Sequence, residues 1–497
     1  MPFNSQEDVA FRRYSESILL GERVNRYSWW VHARELGDYL LPRRYKWLIT
    51  PNQMSRGSPI NQHILDSTGT LAARNLAAGI FSGLSNPARP WFKLKIGKTD
   101  SAGNNPVSVW LKLVEEILST IFHLSNFYQS IAVFYYDLVI FGTAVMLIYE
   151  DFDNVIHCYN PCFGEYYVDN DGKLRPLIFS REFTYTISQT VGEFGFDNCS
   201  DNVKRMYDEG TSKQANAANL TREIIIAHHV EPNQGVDSFG ISRDFPFREC
   251  YCEWGGTTNP QTNSGGTGLL RKKGFNESPA TAVRWDLVSN DPYGRSPGMD
   301  ALPDVKQLQQ ETRRKGQGID KMVNPPMIAD VQLKNQPASL LPGGTTYVQG
   351  FSQTGNPGFA SAYGNWRPDI KAIGDDILIV QDRIKRTFFN DLFQTISQYQ
   401  TRSNVTAVEI DARRAEALVM LGPVLGRLTG EGLRNFIERT FSIASRAGNE
   451  KSRILPPAPQ EISGREIDIE FVSILAQAQQ AAAAGSIERL LGVAGNL

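Results

Sequence analysis

The apolar positions of the chain change period several times, and each change marks a boundary. Phe11, Tyr14, Ile18 and Leu19 set a helical spacing that runs to Leu41-Pro42, where proline ends it. Asp66-Ser67-Thr68 offers N-caps for a second helix carrying Leu71, Leu76 and Ile80. The small residues of that helix (Ala72, Ala73, Ala77, Ala78, Gly79, Gly83) allow close packing against a neighbour. Pro106 suits the first turn of a third helix with Trp110, Val114, Ile117 and Ile121 on one face. The most apolar stretch, Ile131 to Tyr149, approaches bilayer length, but Asp137 and Gly142 interrupt it. It is expected to form a buried helix followed by a strand, not a membrane span.

From Thr143 to about residue 290 the pattern is β-rich. Thr143 to Tyr149 reads as a buried strand, and Asn170-Asp171-Gly172 as a hairpin turn between Glu165–Val168 and Leu174–Phe179. Ile224-Ile225-Ile226 and Ala282-Val283-Arg284-Trp285 are further strands, and Gly255 to Gly268 is a polar loop.

Asp300 to Lys321 returns to helix with few apolar residues: Leu302, Val305, Leu308 and Ile319. From Lys306 onward the bases Lys306, Arg313, Arg314, Lys315 and Lys321 outnumber the acids Glu311 and Asp320. So polar a helix is not expected in the core of a monomer, but exposed or packed in an assembly. Asn324-Pro325-Pro326 ends it, and residues 327 to 372 are rich in Gly and Pro, with strand-like runs such as Thr345 to Val348. A second helix follows, striped by Ile373, Ile377, Val380, Ile384 and Phe388. A polar loop, Ser397 to Asn404, precedes the capping-box pattern Thr406-Ala407-Val408-Glu409. Gly422-Pro423 should kink or break the helix that opens there, and Leu433, Phe436, Ile437 and Phe441 carry its period onward. In the tail, Glu466 to Phe471 alternates as a strand does, and Ile487, Leu490 and Leu491 suggest an amphipathic helix after the Gln/Ala-rich run Gln477 to Ala484.

Charge and chemistry narrow the function. The chain has 497 residues and a formal net charge of −2, which argues against a protein that coats nucleic acid but permits local contact with it. Its cysteines are odd in number (Cys158, Cys162, Cys199, Cys250, Cys252), so a disulfide framework is not expected, and the polar, acidic start is no signal peptide. Gly97-Lys98-Thr99 resembles the end of a P-loop, but Phe92 stands where that motif needs its first glycine. Gly350 to Thr354 lacks the second glycine of a nucleophile elbow. His157, Cys158 and Cys162, like Cys250 and Cys252, have no partner pair at zinc-site spacing and read as half-buried strand residues. His228 and His229 are adjacent in a strand and point to opposite faces, which suits a structural role. Asp151 and Asp153 read as loop carboxylates. No enzyme, cofactor or metal is expected. The basic group on the 300–321 helix has two readings, a solvated or intersubunit face and a contact for DNA phosphates, which carry no sequence information.

Several motifs, weak singly, fall in an ordered series: Asp66-Ser67-Thr68-Gly69; Asn86-Pro87-Ala88-Arg89-Pro90-Trp91-Phe92; Asp137 to Thr143; Arg284-Trp285; Tyr293-Gly294-Arg295-Ser296-Pro297-Gly298; Asn324-Pro325-Pro326; Thr406 to Glu409; and Leu421-Gly422-Pro423. From about Arg26 onward the sequence resembles the portal, or head-to-tail connecting, proteins of short-tailed bacteriophages. The resemblance implies an α+β portal fold, mainly helical with a β-rich wing and clip. By order of blocks, residues 1–298 would be the wing, 299–323 the first stem helix, 324–372 the clip and 373–395 the second stem helix. Residues 396–405 would be the channel loop, 406–450 a kinked helix returning to the wing, and 451–497 the crown, whose shortness puts a long barrel in doubt. The resemblance further implies a dodecameric ring at the capsid vertex, through which double-stranded DNA is packaged and ejected without sequence preference. Lys306, Arg313, Arg314, Lys315, Lys321, Gln398, Gln400 and Arg402 are the possible channel contacts. Implied partners are the terminase large subunit, a tail adaptor, and scaffolding and major capsid proteins; the place is the virion, after assembly in the host cytoplasm. The competing reading is another virion structural protein, such as a tail adaptor; a packaging nuclease would need paired carboxylates for metal ions or a Walker motif.

Overall fold

The computed structural model describes residues 3, 5–42, 44, 62–96, 106–212, 217–233, 239–242, 244–254, 268–323, 327–329, 359–361, 369–393, 421–448, 454–462 and 467–472. The first expected helix is two, α1 (Gln6–Asn25) and α2 (Tyr27–Tyr39), meeting at Arg26. Ser5 opens α1 through a reciprocal capping box with Asp8. Helix α3 (Thr68–Leu84) follows; at its start Asp66, not Ser67, supplies the cap, accepting from the Thr68 N–H (2.8 Å) and hydroxyl (2.5 Å). After β1 (Phe92–Lys95) come α4 (Pro106–Leu124) and α5 (Phe127–Phe141). Helix α5 is apolar nearly all round and buried, as a central core helix should be. Its one charge, Asp137, is answered by Arg44, whose Nε donates to Asp137 Oδ1 at 3.0 Å. Gly142, in the left-handed region at φ 74°, ends α5 and turns the chain into β2 (Thr143–Asp151).

Strands β3 (Val155–Tyr159), β4 (Tyr166–Asp169) and β5 (Ile178–Thr186) are followed by α6 (Ile187–Phe194), α7 (Asp201–Thr211), β6 (Glu223–Pro232), β7 (Phe247–Glu253), β8 (Leu269–Phe275) and β9 (Ala280–Arg284). They build two sheets, a three-stranded β3-β2-β9 and a five-stranded β4-β5-β6-β7-β8, with antiparallel pairings throughout. The expected hairpin at Asn170-Asp171-Gly172 forms, but its second strand starts at Ile178, not Leu174, because Arg175 is held back by Asp171 (2.7 Å).

Strand alternation gives the five-stranded sheet two distinct faces. Ala227, His229, Cys250 and Cys252 lie on the face that α1 covers; Phe183, Ile226 and Tyr251 lie on the other, with α6 and α7. His228 shares the second face, where it meets Tyr149 of β2. Cys158, Cys250 and Cys252 are fully buried, a correction to the half-buried expectation.

Helix α1 meets its sheet through charge as well as apolar surface. Asp8 pairs with Lys272 (2.6 Å), Arg12 donates to the Glu253 carbonyl (3.2 Å), Tyr14 to Glu231 (3.1 Å) and Arg23 to Glu182 (2.6 Å). Glu22 is buried in the same contact, and burial pushes its carboxyl up to about 7. Asp169 and Glu231 add to that shift, while His229 and Ser180 oppose it. The folded chain therefore keeps a proton that the unfolded chain releases. Glu22 contributes undiminished stability below about pH 4.5 and loses it as pH rises to about 7, at about 1.4 kcal/mol per unit. Glu22→Gln is expected to remove this slope, so that its stability relative to the parent grows by about 3 kcal/mol between pH 4.5 and pH 8. Urea unfolding across that range checks this; a pH-independent difference would refute it.

The principal core runs from α2 through α5, β2 and β9 to α8 (Pro297–Val323), and ends with the C-terminal residues Leu455, Ile462 and Ile469. Short strands β10 (Met327–Ala329) and β11 (Phe359–Ser361) pair antiparallel ahead of α9 (Ile370–Thr387). The last described strand, β12 (Asp468–Phe471), pairs with β1, and Trp110 Nε1 donates to the Pro456 carbonyl at 3.1 Å.

One expectation needs correction. The first half of α8 is core, with Ala301, Leu302, Val305, Leu308 and Gln309 buried; only its second half is as exposed as the composition suggested. Residues 421–427 are helical, a π-turn follows at Leu428–Leu433 and the helix Arg434–Arg446 comes after it; the stretch from Thr406 up to Gly422-Pro423 lies outside the described residues. The polar loop 255–267, the P-loop-like 97–99, Gly350 to Thr354, the strand expected at 345–348, the loop 397–404, the capping box from Thr406 and the amphipathic tail lie outside the described residues. Among the described residues no helix is long and apolar enough to cross a membrane.

Candidate functional site

Helix α8 spans 27 residues, about 40 Å at the α-helical rise, and divides along its length. Its inner half is seated in the core; beyond residue 310 it emerges, and Arg313 and Arg314 are exposed. Helix α9 runs antiparallel beside it: Arg383 reaches Asp304 (3.2 Å) and Gln307 (3.1 Å) near the base, while Lys315 lies alongside Gly374 further out. The apolar stripe read from the sequence faces inward, with Ile377, Val380, Ile384 and Phe388 buried. The outer half of the pair carries the bases, and in chain order β10 and β11 lie between the two helices.

Polar contacts fix the base of this spine. Gln309 of α8 accepts from the N–H groups of Leu65 (2.7 Å) and Asp66 (2.8 Å), and donates to the Asp66 carbonyl (2.9 Å). Gln381 of α9 donates to the Asp66 carboxylate (2.8 Å), so one turn clasps both helices. Gly69 sits so close to Leu40 and Val305 that a Cβ there would fall 2.9 Å from each. A second junction joins the Gly142 turn to the segment that opens α8. Gly294 N–H donates to Thr143 Oγ1 (2.8 Å), Ser296 Oγ to the Ile140 carbonyl (2.6 Å), and Gly298 packs on the Ile140 backbone. Three of the ordered sequence motifs thus meet in space, around the foot of the two helices.

The predicted contact residues separate along the spine. Lys306 lies at the base, paired with Glu35 (2.8 Å) and over the Tyr39 ring. Arg313, Arg314, Lys315 and Lys321 share the outer half. Gln398, Gln400 and Arg402 lie outside the described residues. Gln309 and Gln381 escaped the sequence reading because a glutamine on a helix carries no spacing signal.

The arrangement suits mechanical work more than chemistry. The β-rich part has a cleft of about 610 Å³, but its deepest polar groups bond to one another. Tyr149 OH contacts Tyr251 OH (2.9 Å) and donates to Glu249 (3.0 Å); His228 bridges Glu249 (2.9 Å) and Arg181 (3.0 Å). Burial lowers His228, behind the cleft, to about 4, which makes it a weak base, and pushes Cys158, outside the cleft, up to about 12, which keeps its thiol protonated at neutral pH. Asp151 holds the β2–β3 turn by accepting from the Asp153 and Asn154 N–H groups (3.3 Å each). Among the described residues no three His, Cys, Asp or Glu side chains are grouped to hold a metal ion.

Comparison with known proteins points the same way. The sequence profile of a family described as "Bacteriophage head to tail connecting protein" matches residues 22–497. A protein of Bordetella phage BPP-1, named "Probable portal protein", is 39% identical over 473 residues, covering 95% of this chain and 80% of its own length. The "Portal protein" of Salmonella phage epsilon15 is 38% identical over 481 residues, covering 96% of this chain and 81% of its own length.

Proposed function

Since the chain belongs to the family of bacteriophage head to tail connecting proteins, a structural and non-enzymatic component of the virion, we propose that its copies close into a dodecameric portal ring around a DNA channel. Helices α8 and α9 are the two stem helices, the segment between them is the clip, and residues before α8 form the wing. Residues 451–497 form the crown, tied back to the wing through the pairing of β12 with β1. The terminase large subunit docks at the clip during packaging, tail adaptors take its place afterwards, and scaffolding and major capsid proteins meet the wing as the head assembles in the host.

The observation that carries this reading is the divided α8. A helix seated in the core at one end, basic at the other and partnered on one side by α9 leaves further sides to be covered. In a ring, each pair packs against the next, a heterologous contact that closes when the rotation divides a full turn. Arg313, Arg314, Lys315 and Lys321 then touch phosphates weakly enough for the duplex to slide. Negative-stain electron microscopy of the purified chain should give end-on rings with a central hole; a uniform monomer or dimer at high concentration would sink the proposal. Changing Arg313, Arg314 and Lys315 together to Gln should lower the yield of DNA-filled heads with ring formation intact. Loss of the rings themselves would reassign these residues to assembly.

A further inference from the structure

Helix α1 buries Phe11 and Leu19 against its sheet, yet near its end it also turns apolar side chains outward. Its sheet-facing side buries Asp8, Arg12 and Glu22, whereas its outer side carries Leu20 and Val24, continued by Tyr27 and Val31 of α2. These four are 50%, 75%, 69% and 52% exposed. Within each helix the pair lies four residues apart, one turn along the same side, and an exposed apolar strip of this kind marks an interface. Exposed Arg13 and Arg34 make the strip's two ends basic.

The complementary feature lies across the five-stranded sheet. Helix α1 covers the His229 face; β2 lies against the His228 face, and at its end the β2–β3 turn projects Phe152, fully exposed. Glu150 and Asp153, also exposed, flank that ring and make the knob acidic. The turn is built to stay put. Asp151 ties down its backbone, and Val155 sits at φ 68°, a conformation β-branched residues rarely adopt. Such strain persists where the surrounding structure enforces it, and clusters at functional sites. An acidic aromatic knob and a basic apolar seam on opposite sides of one subunit are what a closed, head-to-tail ring requires.

We propose that the Phe152 turn of one copy seats on the Leu20–Val31 seam of the next copy, an inference that rests on the ring reading above. The test is the full-length chain with Phe152 replaced by the photoreactive analogue p-benzoylphenylalanine. Rings are isolated, irradiated, and the cross-linked peptides mapped by mass spectrometry. The expected result is a cross-link between copies into residues 20–31. Rings without that cross-link would overturn the proposal and leave the ring standing; an unmodified chain that forms no rings would sink both. Phe152→Ser, at an exposed site that leaves folding intact, should raise the concentration for half-assembly at least about tenfold, the weight of one buried aromatic contact. An unchanged concentration would also count against the seam.

Discussion

Gly142→Ala is expected to lower the stability of the folded chain by about 4 kcal/mol, a large share of the 5–15 kcal/mol typical of a domain. Two independent costs add. Gly142 lies at φ 74°, and a Cβ built there would fall 2.3 Å from the Gly294 carbonyl oxygen, well inside contact distance. Gly294 cannot yield easily, because its own Cβ position is blocked by the Gly142 carbonyl oxygen at 2.4 Å and its N–H is held by Thr143. The Gly142 carbonyl also accepts from the Trp285 N–H at 2.8 Å, so moving the turn strains β9. Because this junction seats the foot of α8, the variant that does fold should hold its two-helix spine loosely. Urea unfolding measures the first effect and amide exchange along α8 the second; a loss under about 1 kcal/mol would show that the backbone relaxes.

Arg26→Ala should cost a similar amount, about 3–5 kcal/mol. The guanidinium is 1% exposed and enclosed by aromatic rings, with Phe163 at 4.4 Å, Tyr166, Tyr167 and Tyr293 each at 5.2 Å, and Trp30 at 5.6 Å. It also donates to the Phe163 carbonyl. Desolvated cation–π contacts reach about 2 kcal/mol each and are not additive, and the cavity left by alanine adds a further loss. Arg26→Met, which keeps the bulk and gives up the charge, is expected to lose about 2 kcal/mol. Arg26→Lys should fare nearly as badly as alanine, since an ammonium holds its water more tightly than the planar group and cannot lie flat among the rings. Chemical denaturation of the three variants ranks them. Methionine as damaging as alanine would mean that the charge carries the effect; methionine equal to the parent would mean that bulk alone does.

Local signals in the sequence were informative where one residue type has one physical meaning. Asp137 and Gly142 divided the apolar run correctly because a left-handed glycine ends α5 and an ion pair with the half-buried Arg44 absorbs the aspartate. The inward stripe of α9 was readable because Ile377, Val380, Ile384 and Phe388 keep one period without interruption. The seating of α8 was not. Averaging Asp300 to Lys321 merged a buried half with an exposed one, and Pro303 and Gln309 broke up its short apolar stripe. Strands β7 and β8 were passed over because buried charges, Arg248 with Glu231 and Lys272 with Asp8, disguise their alternation. The clasp at Asp66 was out of reach for a different reason: its partners lie 243 and 315 residues away along the chain.

The pairing of β1 with β12 sets a condition on the order of biosynthesis. Phe92–Lys95 leaves the ribosome early, yet the strand that pairs with it, ending at Phe471, follows more than 370 residues later. Until then the β1 edge presents bare backbone donors and acceptors, the kind of edge that recruits other chains. A chain terminated before Asp468 keeps that edge open for good, so only a polypeptide read past Phe471 can complete the helical layer around α4 and enter an assembly with its edge closed.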